Sequence, residues 1–195
     1  MAILDPFRLL LAYQRGIFPM ADQYGRIEWY DPDPRAILPL ENFHLSRSLQ
    51  RTVRSGRYTI QLNTAFQQVM EACAAPAPGR EQTWISPDII TVYCQLHAAG
   101  FAHSVECWRD GRLVGGLYGV AINSFFAGES MFSHQRDASK VALVHLVQQL
   151  KEHGFLLLDV QFTTPHLQQF GIIEISRRQY HARLAQAINT PNHFP

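Results

Sequence analysis

Two polar residues interrupt an apolar run near the C-terminal end of the chain. In Leu156-Leu157-Leu158-Asp159-Val160-Gln161-Phe162, Asp159 and Gln161 stand two apart. On a strand that spacing puts both on one face. A carboxylate in so apolar a strand is costly unless paired or hydrogen-bonded. Asp159 is therefore either a functional carboxylate or a strand-end residue bonded to backbone N–H groups. Glu129 lies in Gly128-Glu129-Ser130-Met131-Phe132-Ser133. A lone Glu after Gly reads as a solvated turn residue or as a second site carboxylate. Trp84 stands between a loop and a helix cap. There it either plugs a core edge or offers a face on which a base can stack. Arg47, Arg51 and Arg54 recur at helical spacing, and Arg57 follows. They read as a solvated helix face or as a patch that tracks phosphates. Arg177, Arg178 and Arg183 form a weaker second cluster.

These residues need elements to hold them. Asp5-Pro6 opens a helix that Gly16 ends, through a capping side chain and a proline at the first helical position. Residues 17–35 hold Pro19, Gly25, Pro32 and Pro34 and read as a packed loop. Ser46 to Arg54 is helical, and Tyr58 to Leu62 alternates as a strand. Asn63 caps a helix through Ala72, Ala74 to Gln82 is an exposed loop, and Ser86-Pro87 opens a helix that Gly100 ends. His103 to Arg109 and Arg112 to Ala121 flank Asp110-Gly111, a hairpin signal. Ser124 to Phe132 continues as a third strand. A helix spans Asp137 to His153, a strand Phe155 to Gln161, a short helix Pro165 to Phe170, and a last helix starts at Ser176.

The pattern is α/β, in the α+β sense: an antiparallel meander, one crossover helix and a returning strand, hence a mixed sheet flanked by helices. The order resembles the core of the GCN5-related N-acyltransferase fold. That fold holds the coenzyme A pyrophosphate on a glycine-rich loop at a helix N-terminus. The matching stretch, Ser133 to Ser139, has no glycine and carries Asp137, which disfavours an acyl-CoA donor.

Composition narrows the class. A chain of 195 residues allows one ordinary domain or one domain with a small appendage. A hydrophobic fraction of 47% is globular, which argues against disorder. A net charge of +1 excludes a polybasic coating protein but allows a local basic patch. Only Lys140 and Lys151 of the seventeen basic residues are lysines. That ratio suits bidentate contact with phosphate or carboxylate, and high-GC codon usage also produces it. Cys73, Cys94 and Cys107 match no zinc or redox spacing, which fits a reduced compartment. The histidines lack ligand spacing, so no metal site is expected. There is no signal-peptide pattern, and the most apolar stretch, Leu113 to Gly128, is too short to span a bilayer. A cytoplasmic protein without membrane association is expected.

An ordered set of blocks resembles the bacterial leucyl/phenylalanyl-tRNA–protein transferases. It comprises Ala12-Tyr13-Gln14-Arg15-Gly16-Ile17-Phe18-Pro19, Trp29 through Asp33-Pro34-Arg35, His44-Leu45-Ser46-Arg47-Ser48 and Thr83-Trp84-Ile85. It continues with His103-Ser104-Val105-Glu106, Gly115 to Val120, Gly128 to Ser133, Ala138-Ser139-Lys140 and Asp159-Val160-Gln161.

The resemblance implies an acyltransferase-like fold and transfer of Leu or Phe, with Met a further candidate, from aminoacyl-tRNA to the N-terminal Arg or Lys of acceptor proteins. The product is marked for degradation by the N-degron pathway. The donor is aminoacyl-tRNA and no cofactor is implied. Gln161 would accept a hydrogen bond from the attacking α-amine, Asp159 would orient and polarise Gln161, and Glu129 would meet the cationic acceptor end. Tyr93, Leu117, Phe126, Met131 and Leu158 fall where the family holds the aminoacyl side chain. Without the resemblance they read as ordinary core. Trp84 falls near the 3′-terminal adenosine, and Arg47, Arg51, Arg54 and Arg57 are the candidate phosphate contacts.

A monomer with a short helix–loop domain over 1–34 and a catalytic domain over 35–190 is expected. The N-terminal segment is shorter than the family usually shows. Met20 stands where the family has Trp, and Thr164 where it often has Asn. Two other readings are a transferase with an acidic N-terminus or a cell-wall amine as acceptor, and a silent tRNA-binding module.

Overall fold

The computed structural model describes residues 4–76 and 83–195. Residues 77–82 of the Ala74 to Gln82 loop lie outside that range. The first helix, α1 (Pro6–Gln14), starts as its sequence dictates: Asp5 accepts from the Arg8 N–H at 3.0 Å, and Pro6 takes the first position. Residues read as a packed loop instead hold a hairpin, β1 (Phe18–Ala21) and β2 (Ile27–Tyr30). Its strands are four residues each and one contains Pro19, which hides the alternation. Asp22 builds the turn by accepting from the N–H groups of Tyr24 and Arg26.

The main body follows with β3 (Arg35–Ile37), α2 (Arg47–Arg54), β4 (Thr59–Leu62), α3 (Phe66–Ala74) and α4 (Pro87–Ala98). Next come β5 (Ala102–Arg109), β6 (Arg112–Ile122), β7 (Phe125–Ser133), α5 (Ala138–Glu152) and β8 (Leu157–Gln161). The chain closes with α6 (Pro165–Gln168), β9 (Ile173–Ile175) and α7 (Arg177–Ile188). The meander turns at Asp110-Gly111, both at positive φ, as the hairpin signal requires.

Seven strands form one sheet in the order β4-β5-β6-β7-β8-β3-β9. Every neighbouring pair is antiparallel except β7 with β8, which α5 joins in parallel. This is the expected mixed sheet flanked by helices. The sheet separates two apolar clusters. One packs α1, α3, α4 and α7 with the hairpin, through residues such as Leu9, Met70, Ile89 and Leu184. The other packs α2 and α5 on the opposite face, through Leu49, Val141, Leu146 and Leu150. Gly115 brings α5 close to β6, since a Cβ there would meet the Ala138 Cβ at 2.5 Å.

Asn63 does not cap α3. It stands at φ +61° and its side chain accepts from the Ser104 N–H at 3.1 Å. The helix begins after Ala65 without a cap from its own residues. Glu106, fully buried on β5, supplies one instead, accepting from the N–H groups of Thr64 (2.9 Å) and Ala65 (2.8 Å). The hydroxyls of Ser104 and Thr64 and the Trp108 indole complete its shell. A negative charge at a helix N-terminus is favourable, and here it meets the orphan N–H groups directly. Glu106→Gln keeps the volume but swaps a charged acceptor for an amide that brings donors into an all-donor shell. A loss of about 1–3 kcal/mol is expected in urea unfolding.

Candidate functional site

The site exists because two parallel strands part. β7 and β8 pair only from Phe125 with Leu157 to Ala127 with Asp159. Beyond that, β8 continues without β7 but keeps β3 on its other edge, where Ile37 pairs with Asp159 and Ala36 with Gln161. β7 carries a bulge at the same level. Its register with β6 passes from Gly119–Gly128 to Tyr118–Ser130, leaving Glu129 as the extra residue. A bulge re-aims the side chain it carries. Glu129 is thus half-buried in a strand, not solvated in a turn.

Between the parted strands opens a cavity of about 650 Å³. Its two sides differ in chemistry. Leu117, Met131, Leu143 and Leu158 belong to the cluster on the α5 face. Phe18, Met20 and Trp84 belong to the cluster on the opposite face. Phe162 joins that aromatic side, edge-on to Phe18 at 5.7 Å and still 44% exposed. Glu129 and Gln161 line the same cavity.

Asp159 does not line it. It is fully buried beneath, in a pair with Arg35 that spans 124 positions of sequence. Arg35 Nε donates to Asp159 Oδ1 at 3.0 Å and Nη2 donates to Oδ2 at 2.7 Å. The guanidinium also donates to the Gly16 carbonyl at 2.9 Å and lies over the rings of Phe18 and Tyr180. The Tyr180 hydroxyl donates to Asp159 Oδ2 at 2.9 Å. Burial works against charge on Arg35, but the Asp159 carboxylate outweighs it and holds the Arg35 pKa above its usual value. Every side of this buried pair is hydrogen-bonded, which such a pair requires.

Asp159 reaches Gln161 through the main chain: the Gln161 N–H donates to Asp159 Oδ1 at 2.9 Å. Gln161 stands at φ +61°, an uncommon conformation for its type. Its side chain is 93% shielded, and among the described residues its Nε2 has no hydrogen-bond partner. A strained backbone and an unsatisfied buried donor in one residue are both costs to stability.

Of the five residues expected to hold an aminoacyl side chain, Leu117, Met131 and Leu158 face the cavity. Tyr93 and Phe126 do not. Tyr93 is buried behind Glu129, its hydroxyl 3.5 Å from the carboxylate. Phe126 packs deeper, tilted against Phe194 at 5.3 Å. Periodicity cannot separate a cavity wall from the layer behind it. Trp84 lines the aromatic side, and its carbonyl accepts from the Ala21 N–H, which ties it to the hairpin. Arg47, Arg51, Arg54 and Arg57 are exposed on and after α2, away from the cavity. Arg51 and Arg54 lie in the last turn, where the helix dipole favours cations. Reading the residues one by one missed Arg35, Tyr180, Tyr13 and Phe162. The available signal was an arginine heading the apolar run Ala36-Ile37-Leu38, which needs a carboxylate as Asp159 needs a cation.

Among the described residues no cluster of acidic, His and Cys side chains is placed to hold a metal, and no helix is long and apolar enough to cross a membrane.

Two family models match: leucyl/phenylalanyl-tRNA protein transferase over residues 37–185, and the N-terminal domain of the same proteins over residues 2–33. The leucyl/phenylalanyl-tRNA–protein transferase of Herpetosiphon aurantiacus is 56% identical over 186 residues, 95% of either chain. That of Phenylobacterium zucineum is 55% identical over 196 residues, all of this chain and 89% of the relative. A ribosomal-protein-alanine N-acetyltransferase structure from Brucella melitensis covers 57% of this chain and 84% of its own, at 15% identity and a TM-score of 0.40. The chain belongs to the leucyl/phenylalanyl-tRNA protein transferase family and is an aminoacyltransferase.

Proposed function

We propose that this enzyme moves Leu, Phe or Met from aminoacyl-tRNA to the N-terminal Arg or Lys of acceptor proteins, and that the product enters degradation by the N-degron route. The observation that carries this reading is the two-sided cavity, aliphatic on the α5 face and aromatic on the other, with Glu129 and Gln161 between. The aliphatic side suits an apolar aminoacyl side chain, whose burial contributes roughly 1.5–3 kcal/mol. A charged side chain would lose its hydration there without a partner. Trp84 and Phe162 suit the flat face of a terminal base. Glu129 suits a cationic acceptor end.

The chemistry asks little of a base. The donor ester is already activated, and an α-amine with a pKa of about 7.7–8 is partly free near neutral pH. Its nitrogen attacks the ester carbonyl, a tetrahedral oxyanion forms, and the ribose oxygen leaves with a proton. The Gln161 amide can accept from the attacking amine through its oxygen and donate to the oxyanion through Nε2. Positioning and oxyanion stabilisation then supply most of the acceleration, and no step calls for a cofactor.

The test mixes purified protein with radiolabelled Leu-tRNA and peptides beginning with Arg, Lys, Asp or Ala. Label is expected on the Arg and Lys peptides. Label confined to the Asp peptide would overturn the acceptor assignment. The α2 arginines are assigned to the tRNA backbone and are expected to act through charge alone. Replacing Arg51 and Arg54 together by Ala should reduce the slope of log K against log salt for tRNA by about 2. An unchanged slope would make that face ordinary solvated surface.

A further inference from the structure

β7 changes its surroundings partway along. Phe125, Phe126 and Ala127, which pair with β8, are fully buried, whereas Gly128 to Met131 are partly exposed. Every residue from Gly128 to Ser133 lines the cavity. Side chains alternate across a strand, so six consecutive residues can line one cavity only where the strand shows it an edge. The packing agrees. Met131 lies against the apolar cluster on the α5 face, and Phe132 belongs to the cluster on the opposite face. β6 holds the other edge of this stretch. On the cavity edge β8 no longer reaches β7, and the end of β8 closes on itself. The Phe162 N–H donates to the Val160 carbonyl at 2.7 Å, and the Gln161 N–H donates to Asp159. Among the described residues no other strand pairs with that edge of β7. A strand paired on one side presents alternate N–H and C=O groups on the other, a template for one more strand.

We infer, resting on the reading that Glu129 receives the acceptor's N-terminal residue, that the open β7 edge takes the main chain of the residues behind it. The acceptor adds as a short parallel strand along the line that β8 leaves. The donor offers the wrong groups for this edge. An aminoacyl ester has one carbonyl and one amine, and its ribose and base carry no main-chain repeat. The other substrate of a tRNA protein transferase is a protein, whose N–H and C=O groups recur at the spacing of the edge.

The fork fixes the direction. Glu129 and Gln161 each stand two residues beyond the last β7–β8 pair, Ala127 with Asp159. The Tyr13 hydroxyl holds the Glu129 carboxylate there, donating to Oε1 at 2.7 Å. An acceptor whose cation meets Glu129 and whose α-amine meets Gln161 therefore begins at the fork. The open edge leads from there to Ser133 over about 13 Å, room for about four extended residues. Main-chain pairing holds any sequence, so the first residue is selected by its charge and the next few are held without being read. It also requires those residues to be extended and free of the acceptor's own fold.

The experiment uses the full chain, radiolabelled Leu-tRNA and peptides of one N-terminal arginine followed by alanines. One peptide is unmodified, and the others carry a single N-methyl group on the amide of the second, third, fourth or fifth residue. A methyl group removes the donor and blocks close approach only where that amide faces β7, and along a strand alternate residues do so. kcat/KM for the peptide is expected to fall at least about tenfold at every second position and to change less than about threefold at the positions between. The alternation is the signature, since an effect on the peptide's own conformation would not repeat with period two. A loss that does not alternate, or labelling of all the methylated peptides within about threefold of the unmodified one, would overturn the added strand and leave the acceptor assignment standing. No label on the unmodified peptide would overturn both.

Discussion

Arg35→Ala is expected to destabilise the protein by about 3–5 kcal/mol and to lower turnover at least 100-fold. The cost comes from what stays behind. Asp159 would keep a buried carboxylate whose remaining partners are Tyr180 and the Gln161 N–H. The Gly16 carbonyl and the faces of Phe18 and Tyr180 would also lose their guanidinium. Since Gly16 and Phe18 belong to the N-terminal element, the same change loosens the hairpin that carries one side of the cavity. Chemical unfolding measures the first effect, and peptide labelling at saturating donor measures the second. A cycle separates fold from chemistry. Arg35→Met with Asp159→Leu should be more stable than either single change, because neither charge is left alone. It should remain inactive, because the Gln161 main chain then has no acceptor holding it. Activity in the double variant would show that the pair serves only the fold.

Gln161→Ala is expected to lower turnover about 100-fold, the typical cost of removing one donor from a developing oxyanion. Its affinity for tRNA should stay within about twofold, since the function proposed above gives the phosphate contacts to the α2 arginines and not to Gln161. Stability should hardly fall, because the truncation removes a buried Nε2 that has no hydrogen-bond partner among the described residues. Gln161→Gly makes the sharper statement. Glycine occupies φ +61° without strain, so this variant should be more stable than Gln161→Ala while equally slow. Stability gained with activity lost is the mark of a position held against its own preference. If both variants turned over normally, the amide would have no part in the reaction.

Much of the fold was legible because its signals are local. Asp5-Pro6, Ser46 and Ser86-Pro87 start helices where they should, since a cap and its N–H groups lie within three or four residues. Asp110-Gly111 turns the meander because two adjacent residues must accept positive φ. Asn63 shows where local reading fails. It has the composition of a cap, but Glu106, about forty positions on, does the capping. β3 and β9 escaped for the same reason. Three residues carry no readable period, and both strands exist only through each other and β8.

By itself the sequence determined the reaction class, the helices and the meander, and the polar residues available for chemistry. Chain-local sterics and hydrogen bonding enforce those patterns over a few residues. Only the tertiary structure decided the cavity. It arises where β8 parts from β7 while β3 stays paired along its other edge, an arrangement made by pairing between distant segments. That arrangement sorted apolar residues into wall and backing, put Leu117 and Leu158 on the surface of the site, and hid Tyr93 and Phe126. It also gave Asp159 its cation in Arg35. Burying either charge is unfavourable alone and tolerable together, so the pair is a property of the fold and not of either strand.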